Sequence, residues 1–328
     1  MTALDTPWTR AVAAVVAAAR FPGVAWAFSA HGHRRRRRGF VAAELAVDLT
    51  GTHHVITGAS SGLGLATARA LAARGATVWL LCRDRARGEA ARAEVAACGG
   101  DARLVVVDVG ELAQVRRAVA AIDAPRIDAL VHNAGALPHT RQVTGDGLEV
   151  DFAVHLAGPH LLTRALLPRL RAARGRVVFV SSGGMYGTRL RVDDLQWRAR
   201  PYDGVAAYAE VKRAQVVLAE LWASREPAVA FHAMHPGWAD TPGVATALPR
   251  FYRLTRRVLR TPAEGADTIV WLAAARPAPA PSGRFWFDRA PAPTHLVPNT
   301  ADDPADRAAL WTALERATGA GAAAAGAA

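Results

Sequence analysis

The run Thr57-Gly58-Ala59-Ser60-Ser61-Gly62-Leu63-Gly64 constrains this chain more than any other. A short β-rich segment, His54–Thr57, leads into it, and an Ala/Leu/Arg-rich segment of helical character, Leu63–Arg74, leads out. Glycines at 58, 62 and 64 allow a sharp strand-to-helix turn whose backbone approaches an anion closely. The helix that follows points free N–H groups and a partial positive charge at that anion. A glycine-rich turn alone is weak evidence. Between a strand and a helix, at the head of a series of such pairs, it reads as a phosphate-binding turn.

The series continues. Further β-rich runs lie at Thr77–Cys82, Leu104–Val107, Ala129–His132, Arg176–Val180 and Ala228–His232, with helical stretches such as Ala86–Ala97 between them. Strand and helix in alternation predict an α/β fold: a doubly wound parallel sheet of the Rossmann type, three αβα layers in a single domain over residues 49–290. Hydrophobic residues make up 51% of the chain, enough to fill such a core, which excludes disorder as its main state. Cys82 and Cys98 are the only cysteines, so a disulfide scaffold and a cysteine metal site are excluded too. No apolar run reaches the ~18–20 residues needed to cross a bilayer.

The ends differ from the middle. Residues 1–48 read as an N-terminal arm: an apolar stretch from Ala11 to Phe28, broken by Arg20 and Pro22-Gly23, then the basic run Arg34–Arg38. An amphipathic segment that packs on the domain or touches a membrane surface fits this better than a cleaved leader. Residues 243–260 are expected to form a lid, 291–316 a C-terminal extension with a helix over Thr300–Arg316, and 317–328 a disordered Ala/Gly tail.

The formal charge is +12, yet all but one of the 40 lysine and arginine residues are arginine. That bias reads as the coding preference of a GC-rich bacterial genome, so the charge is mostly a solvated surface. No aromatics interleave with the basic run, and no specific nucleic-acid partner is expected. The exception, Lys212, is therefore informative: it survives where arginine would not fit. It stands in Tyr208-Ala209-Glu210-Val211-Lys212, four residues after a tyrosine, on one helix face. Chance places a sole lysine there about once in eighty draws. An isolated phenol with a pKa of ~10 is a poor acid at neutral pH, and a nearby ammonium is expected to lower that value. Such a phenol can exchange protons with a substrate. A hydroxyl to orient the reacting oxygen is available at Ser181-Ser182, after the run Arg176–Val180.

The Gly-x-x-x-Gly-x-Gly spacing, the Tyr/Lys pair and His132-Asn133-Ala134-Gly135 together resemble the short-chain dehydrogenase/reductase superfamily. Loop motifs such as Ser181-Ser182-Gly183-Gly184-Met185-Tyr186 and His235-Pro236-Gly237-Trp238-Ala239-Asp240-Thr241 are similar to the group called dehydrogenase/reductase family member twelve. The resemblance implies a nicotinamide cofactor held by Gly58, Ser60, Ser61, Gly62, Leu63 and Gly64. Asp108 would meet the adenine amine, and Asn133, Ala134 and Gly135 would lie along the adenosine ribose. Pro236-Gly237 would turn under the nicotinamide, with Thr241 on its carboxamide or the phosphates. It implies Tyr208 as acid/base and, with Lys212, as a cofactor contact, Lys212 on the nicotinamide ribose, and Ser182 on the substrate oxygen. His155 stands where the family has an asparagine that holds a water; it reads either as a proton relay or as a satisfied helix histidine.

The second strand ends Leu81-Cys82-Arg83-Asp84. Arg83 can fork onto a 2′-phosphate, which favours NADP(H); Asp84 keeps NAD(H) open. The chain is thus expected to be an NADP(H)-dependent oxidoreductase acting on a small-molecule carbonyl/alcohol pair. The substrate is expected to be apolar, with Met185, Tyr186, Trp197, Phe251 and Tyr252 in the cleft walls. The alternative is a low-turnover NADP(H)-binding sensor or scaffold. The resemblance also implies a homo-oligomer. A cytoplasmic location is expected, with peripheral membrane contact through the arm as a variant.

Overall fold

The β-rich runs are apolar at nearly every position, so strands made from them must be covered on both faces. The computed structural model describes residues 22–296 and 300–319, and in it they are. The expectations for residues 1–21, and for the tail from 320 onward, lie outside the described residues. In chain order the elements are α1 (Pro22–Phe28), α2 (Ala30–Arg37), β1 (His53–Thr57), α3 (Gly62–Ala72), β2 (Thr77–Cys82), α4 (Arg85–Ala96), β3 (Asp101–Val106), α5 (Leu112–Ala121) and β4 (Ala129–His132). Then come α6 (Gly158–Ala173), β5 (Arg176–Val180), α7 (Gly204–Arg225) and β6 (Ala230–Met234). The remaining described helices and strands are α8 (Pro242–Ala247), α9 (Pro249–Thr255), α10 (Pro262–Ala274), β7 (Arg284–Phe287), β8 (Ala290–Pro291) and α11 (Pro304–Thr318).

The described strands form one sheet in the order β3-β2-β1-β4-β5-β6-β7-β8, parallel except for the last pair. Successive strand residues face opposite ways. Val55, Leu81, Leu130 and Val177 pack with α5, α6, α7 and α11, while Ile56, Leu80, Val131 and Val178 pack with α3, α4 and α10. The order reverses between β1 and β4, and in a doubly wound sheet the ligand crevice opens at the carboxyl ends of the strands beside such a reversal.

β7 and β8 have no counterpart in the sequence reading. Phe285, Trp286 and Phe287 are buried, and the connection to β8 places Asp288 and Arg289 at φ of 49° and 58°. β6 also runs two residues past its expected end. The C-terminal helix spans Pro304–Thr318 rather than Thr300–Arg316, because Asp303 caps it through the Ala305 amide.

Candidate active site

The turn between β1 and α3 has the geometry its glycines require. Gly58 has φ of 65°, and a Cβ there would lie 2.8 Å from Ala134 Cα. A Cβ on Gly64 would lie 2.4 Å from the Gly58 carbonyl and 2.5 Å from Asn133 Nδ2. Ser61 stands at the N-cap of α3 without a side-chain capping bond, which leaves the first-turn amides directed at the crevice. These features fit a dinucleotide's phosphates. Asn133 ties β4 to the turn: its Nδ2 donates to Thr57 O at 3.0 Å and to Gly58 O at 3.2 Å. The Asn133 and Ala134 amides both donate to Thr57 Oγ1 at 3.0 Å. Gly62, at φ of 55°, faces Thr241, which caps α8 through the Val244 amide.

At the end of β2, Arg83 reaches into solvent with Nη1 3.7 Å from Asp108 Oδ2. Asp84 is engaged as the N-cap of α4, accepting from the Arg87 amide at 2.8 Å. Arg87 itself was missed by the sequence reading. Its Nη2 donates to Ser61 Oγ at 3.3 Å, bringing a second guanidinium to the phosphate turn. Its spacing of four from Arg83 was the available sign.

The chemical groups gather after β5, in the first half of α7 and in the turn before α6. Asp203 caps α7 through the Val205 and Ala206 amides at 3.0 and 3.1 Å, which sets the helix register. One turn on, the Tyr208 phenol comes under the influence of the Ser182 side chain, which favours its ionised form. Lys212, on the same face, has its Nζ 5.4 Å from the Tyr208 ring centre. That Nζ donates to Val180 O at 2.8 Å and to Gln215 Oε1 at 3.0 Å. Gln215, also missed, passes the contact on: its Nε2 donates to His155 O at 2.9 Å. The Ser181 hydroxyl donates to Lys212 O at 2.8 Å, and of the two serines it is Ser182 that acts on the tyrosine.

The expected effect of the ammonium on the phenol is not what the geometry gives. Burial pushes Tyr208 up to about 12; the Ser182 side chain lowers it and the nearby Asp151 charge raises it. Lys212 spends its charge on two oxygens below the ring, and its own burial pulls it down to about 7, with Asp151 opposing. The tyrosine is therefore a protonated donor at neutral pH.

His155 lies in a π-helical turn, Ala153–Ala157, that precedes α6. Such turns commonly mark functional positions. The ring meets Tyr208 edge-on at 5.4 Å, and its Nε2 lies 3.0 Å from Ala136 O and 3.5 Å from Asp151 Oδ1. Burial, then the Lys212 charge, holds it well below its ordinary pKa, so it is neutral. Asp151 and Glu149 are both fully buried, and the Tyr202 hydroxyl lies 3.2 Å from each carboxyl. Burial raises Asp151 to about 7.

The expected cleft walls need correction. Met185, Tyr186 and Trp197 are buried. The Tyr186 hydroxyl donates to Pro293 O at 2.9 Å, and Arg200 covers the Trp197 ring at 3.5 Å. These side chains hold the segment in place and present almost no surface. Phe251 and Tyr252 remain half-exposed on α9, where Phe251 meets Trp238 edge-on at 5.2 Å.

Residues 52–249 match the family described as short chain dehydrogenase. The chain belongs to the short-chain dehydrogenase/reductase family. It is thereby an oxidoreductase of the hydride-transferring class, with a nicotinamide dinucleotide as its cofactor type. It is 42% identical over 295 residues to human dehydrogenase/reductase SDR family member 12, covering 88% of this chain and 93% of that one. A crystal structure of an uncharacterised protein from Mycobacterium paratuberculosis matches with a TM-score of 0.66 and 30% identity, over 83% and 95% of the two chains. The 3-ketoacyl-(acyl-carrier-protein) reductase from Brucella melitensis, complexed with NADH, matches with a TM-score of 0.58 and 26% identity, over 72% and 96%.

Proposed function

We propose that this protein is an NADP(H)-dependent reductase/dehydrogenase acting on an apolar carbonyl/alcohol pair. The observation that carries this is the Tyr208 ring standing 5.4 Å over the buried Lys212 Nζ, with the Ser182 side chain acting on its phenol. The turn from Gly58 to Gly64 would hold the phosphates, Asp108 and Asn133–Gly135 the adenosine, and Lys212 with the Pro236-Gly237 turn and Thr241 the nicotinamide end. When bound, the reduced nicotinamide supplies a hydride to the carbonyl carbon. Tyr208, protonated at neutral pH, gives its proton to the substrate oxygen. Ser182 donates a hydrogen bond to the same oxygen as negative charge develops on it. The reverse reaction returns that proton to Tyr208.

Arg83 and Arg87 favour NADP(H): two guanidiniums flank the place for a 2′-phosphate, while Asp84 is committed to its helix cap. The half-exposed Trp238, Phe251 and Tyr252 favour an apolar substrate. The test measures absorbance loss at the nicotinamide band with NADPH and with NADH over a panel of aldehydes and ketones. The reading requires faster turnover with NADPH and preference for apolar members. Activity confined to small charged ketones, or NADH preferred, would overturn those respective parts.

A second reading, a low-turnover nucleotide sensor, has one observation in its favour. The Gln215 amide bridges Lys212 to the His155 carbonyl, and a neutral amide does not readily pass protons. It predicts tight NADPH binding and no turnover on any panel member.

A further inference from the structure

The described part of the N-terminal arm packs on two loops of the site. α1 ends at Phe28, which is buried although the arm lies before the residues that match the family. The Phe28 ring meets His235 at 4.3 Å, Trp238 at 5.9 Å and Phe287 at 5.3 Å, each edge-on. It also presses on the residue after Ser182: a Cβ at Gly183 would lie 2.9 Å from Phe28 Cε2. One side chain of the arm thus touches both the loop that carries Ser182 and the loop after β6.

The backbone makes the same connection. Phe28 O accepts from the Trp238 amide at 2.9 Å and from Arg260 Nε at 3.0 Å. Arg260 Nη2 donates to Ala27 O at 2.8 Å, and its Nη1 donates to Pro236 O at 3.2 Å. The Ala30 amide donates to Val258 O at 2.9 Å. Arg260 is fully buried and paired with Asp288, which also takes His33 Nδ1 at 3.2 Å and Arg36 Nη1 at 2.9 Å from the arm. The Gly237 Cα faces this assembly so closely that a Cβ would lie 2.3 Å from Arg260 Nε and 2.8 Å from Phe28 O. Trp238 then carries the contact outward to Phe251 on α9. Core packing alone asks for an apolar side chain here; it does not ask for one wedge shared by two functional loops and locked by a buried ion cluster.

We infer that the arm is a positioning element of the active site: Phe28, anchored through Arg260 and Asp288, fixes the Ser182–Gly183 turn against the Pro236–Trp238 turn. This rests on the oxidoreductase reading above. Its contacts reach the Ser182 loop and the turn assigned to the nicotinamide end, while the phosphate turn Gly58–Gly64 lies apart from it, against Asn133, Ala134 and Thr241.

The full chain is compared with Phe28→Ala, Phe28→Leu and, as a control on the exposed side of the same helix, Trp26→Ala. A loop displaced by about 1 Å can lose about a hundredfold in rate, so kcat should fall about ten- to a hundredfold in Phe28→Ala. The KM for NADPH should stay within about threefold, since the phosphate and adenosine contacts assigned to Gly58–Gly64 and Asn133–Gly135 lie away from Phe28. Phe28→Leu should restore most of the rate, and Trp26→Ala should match the parent. Hydrogen exchange supplies a readout independent of turnover: amides of 183–187 and 237–240 should exchange about tenfold faster in Phe28→Ala, with β1 to β5 unchanged. A lower unfolding temperature with unchanged kcat and unchanged exchange in both segments would make Phe28 an ordinary core residue and overturn the inference. Should the parent reduce no carbonyl at all, the oxidoreductase reading fails, and the exchange pattern alone decides the role of the arm.

Discussion

Replacing Lys212 by methionine separates what the ammonium does for chemistry from what it costs the fold. Lys212 is 3% exposed, and burial pulls its pKa from 10.5 down to about 7. Holding it charged at pH 6 therefore costs the folded state about 5 kcal/mol relative to the unfolded chain. Methionine removes that cost but leaves Val180 O and Gln215 Oε1 without their donor, about 1–3 kcal/mol each. The two effects nearly cancel, and the variant should unfold within about 2 kcal/mol of the parent at pH 6. The pH dependence is sharper. The folded pKa lies below the unfolded one, so over this range the unfolded chain binds the extra proton and parent stability rises with pH, by about 3 kcal/mol between pH 6 and pH 9. The variant lacks that contribution. Urea unfolding of both proteins at several pH values yields the difference, in which shared groups such as Cys82, raised to about 11 by burial, cancel. A difference that stays flat from pH 6 to pH 9 would refute the buried-ammonium account. Turnover in the variant should fall about 10²–10⁴-fold.

Three further outcomes follow from the geometry. Arg83→Glu with Arg87→Ala should lower the NADPH-over-NADH preference by at least about tenfold, read as a ratio of dissociation constants; an unchanged ratio contradicts the assignment. Asp288→Ala leaves Arg260 charged and buried without its carboxylate, and urea unfolding should show a loss of about 3–5 kcal/mol; a loss below about 1 would mean the arm's ion cluster contributes little. Burial holds His132, His160 and His235 at about 3. Their folded pKa values lie below the unfolded value, so this stability is present above about pH 6.5 and declines as pH falls, by about 2 kcal/mol each at pH 5. Asp151, raised to about 7, offsets about 2 of that. Thermal unfolding should therefore move clearly downward from pH 7.5 to pH 5, and a flat profile contradicts the neutral buried histidines.

The parts of the site that were readable from the chain are those whose constraint is local. Gly58, Gly62 and Gly64 must stand at fixed offsets to make the turn, and Tyr208 and Lys212 must share a helix face. Gln215 had a similar sign, three residues from Lys212, but a glutamine inside an apolar helix has no period of its own. The apolar runs of β1, β2, β4 and β5 announced buried parallel strands. β7 is only four residues long, and its three aromatics gave no alternation by which to recognise it. Met185, Tyr186 and Trp197 were read as cleft walls because they are large and apolar; those same properties drove them into the core. Phe28 and Arg260 meet across more than two hundred residues, and no periodicity links them.

The central claim is that the Tyr208 hydroxyl supplies the proton, while the cofactor is held mainly by the phosphate turn, Asn133–Gly135 and Lys212. Tyr208→Phe removes one hydroxyl and leaves the ring against His155. With the best carbonyl from the panel, the claim requires turnover to fall by about 10³-fold while NADPH binding stays within about threefold of the parent. Undiminished turnover in that variant would contradict it.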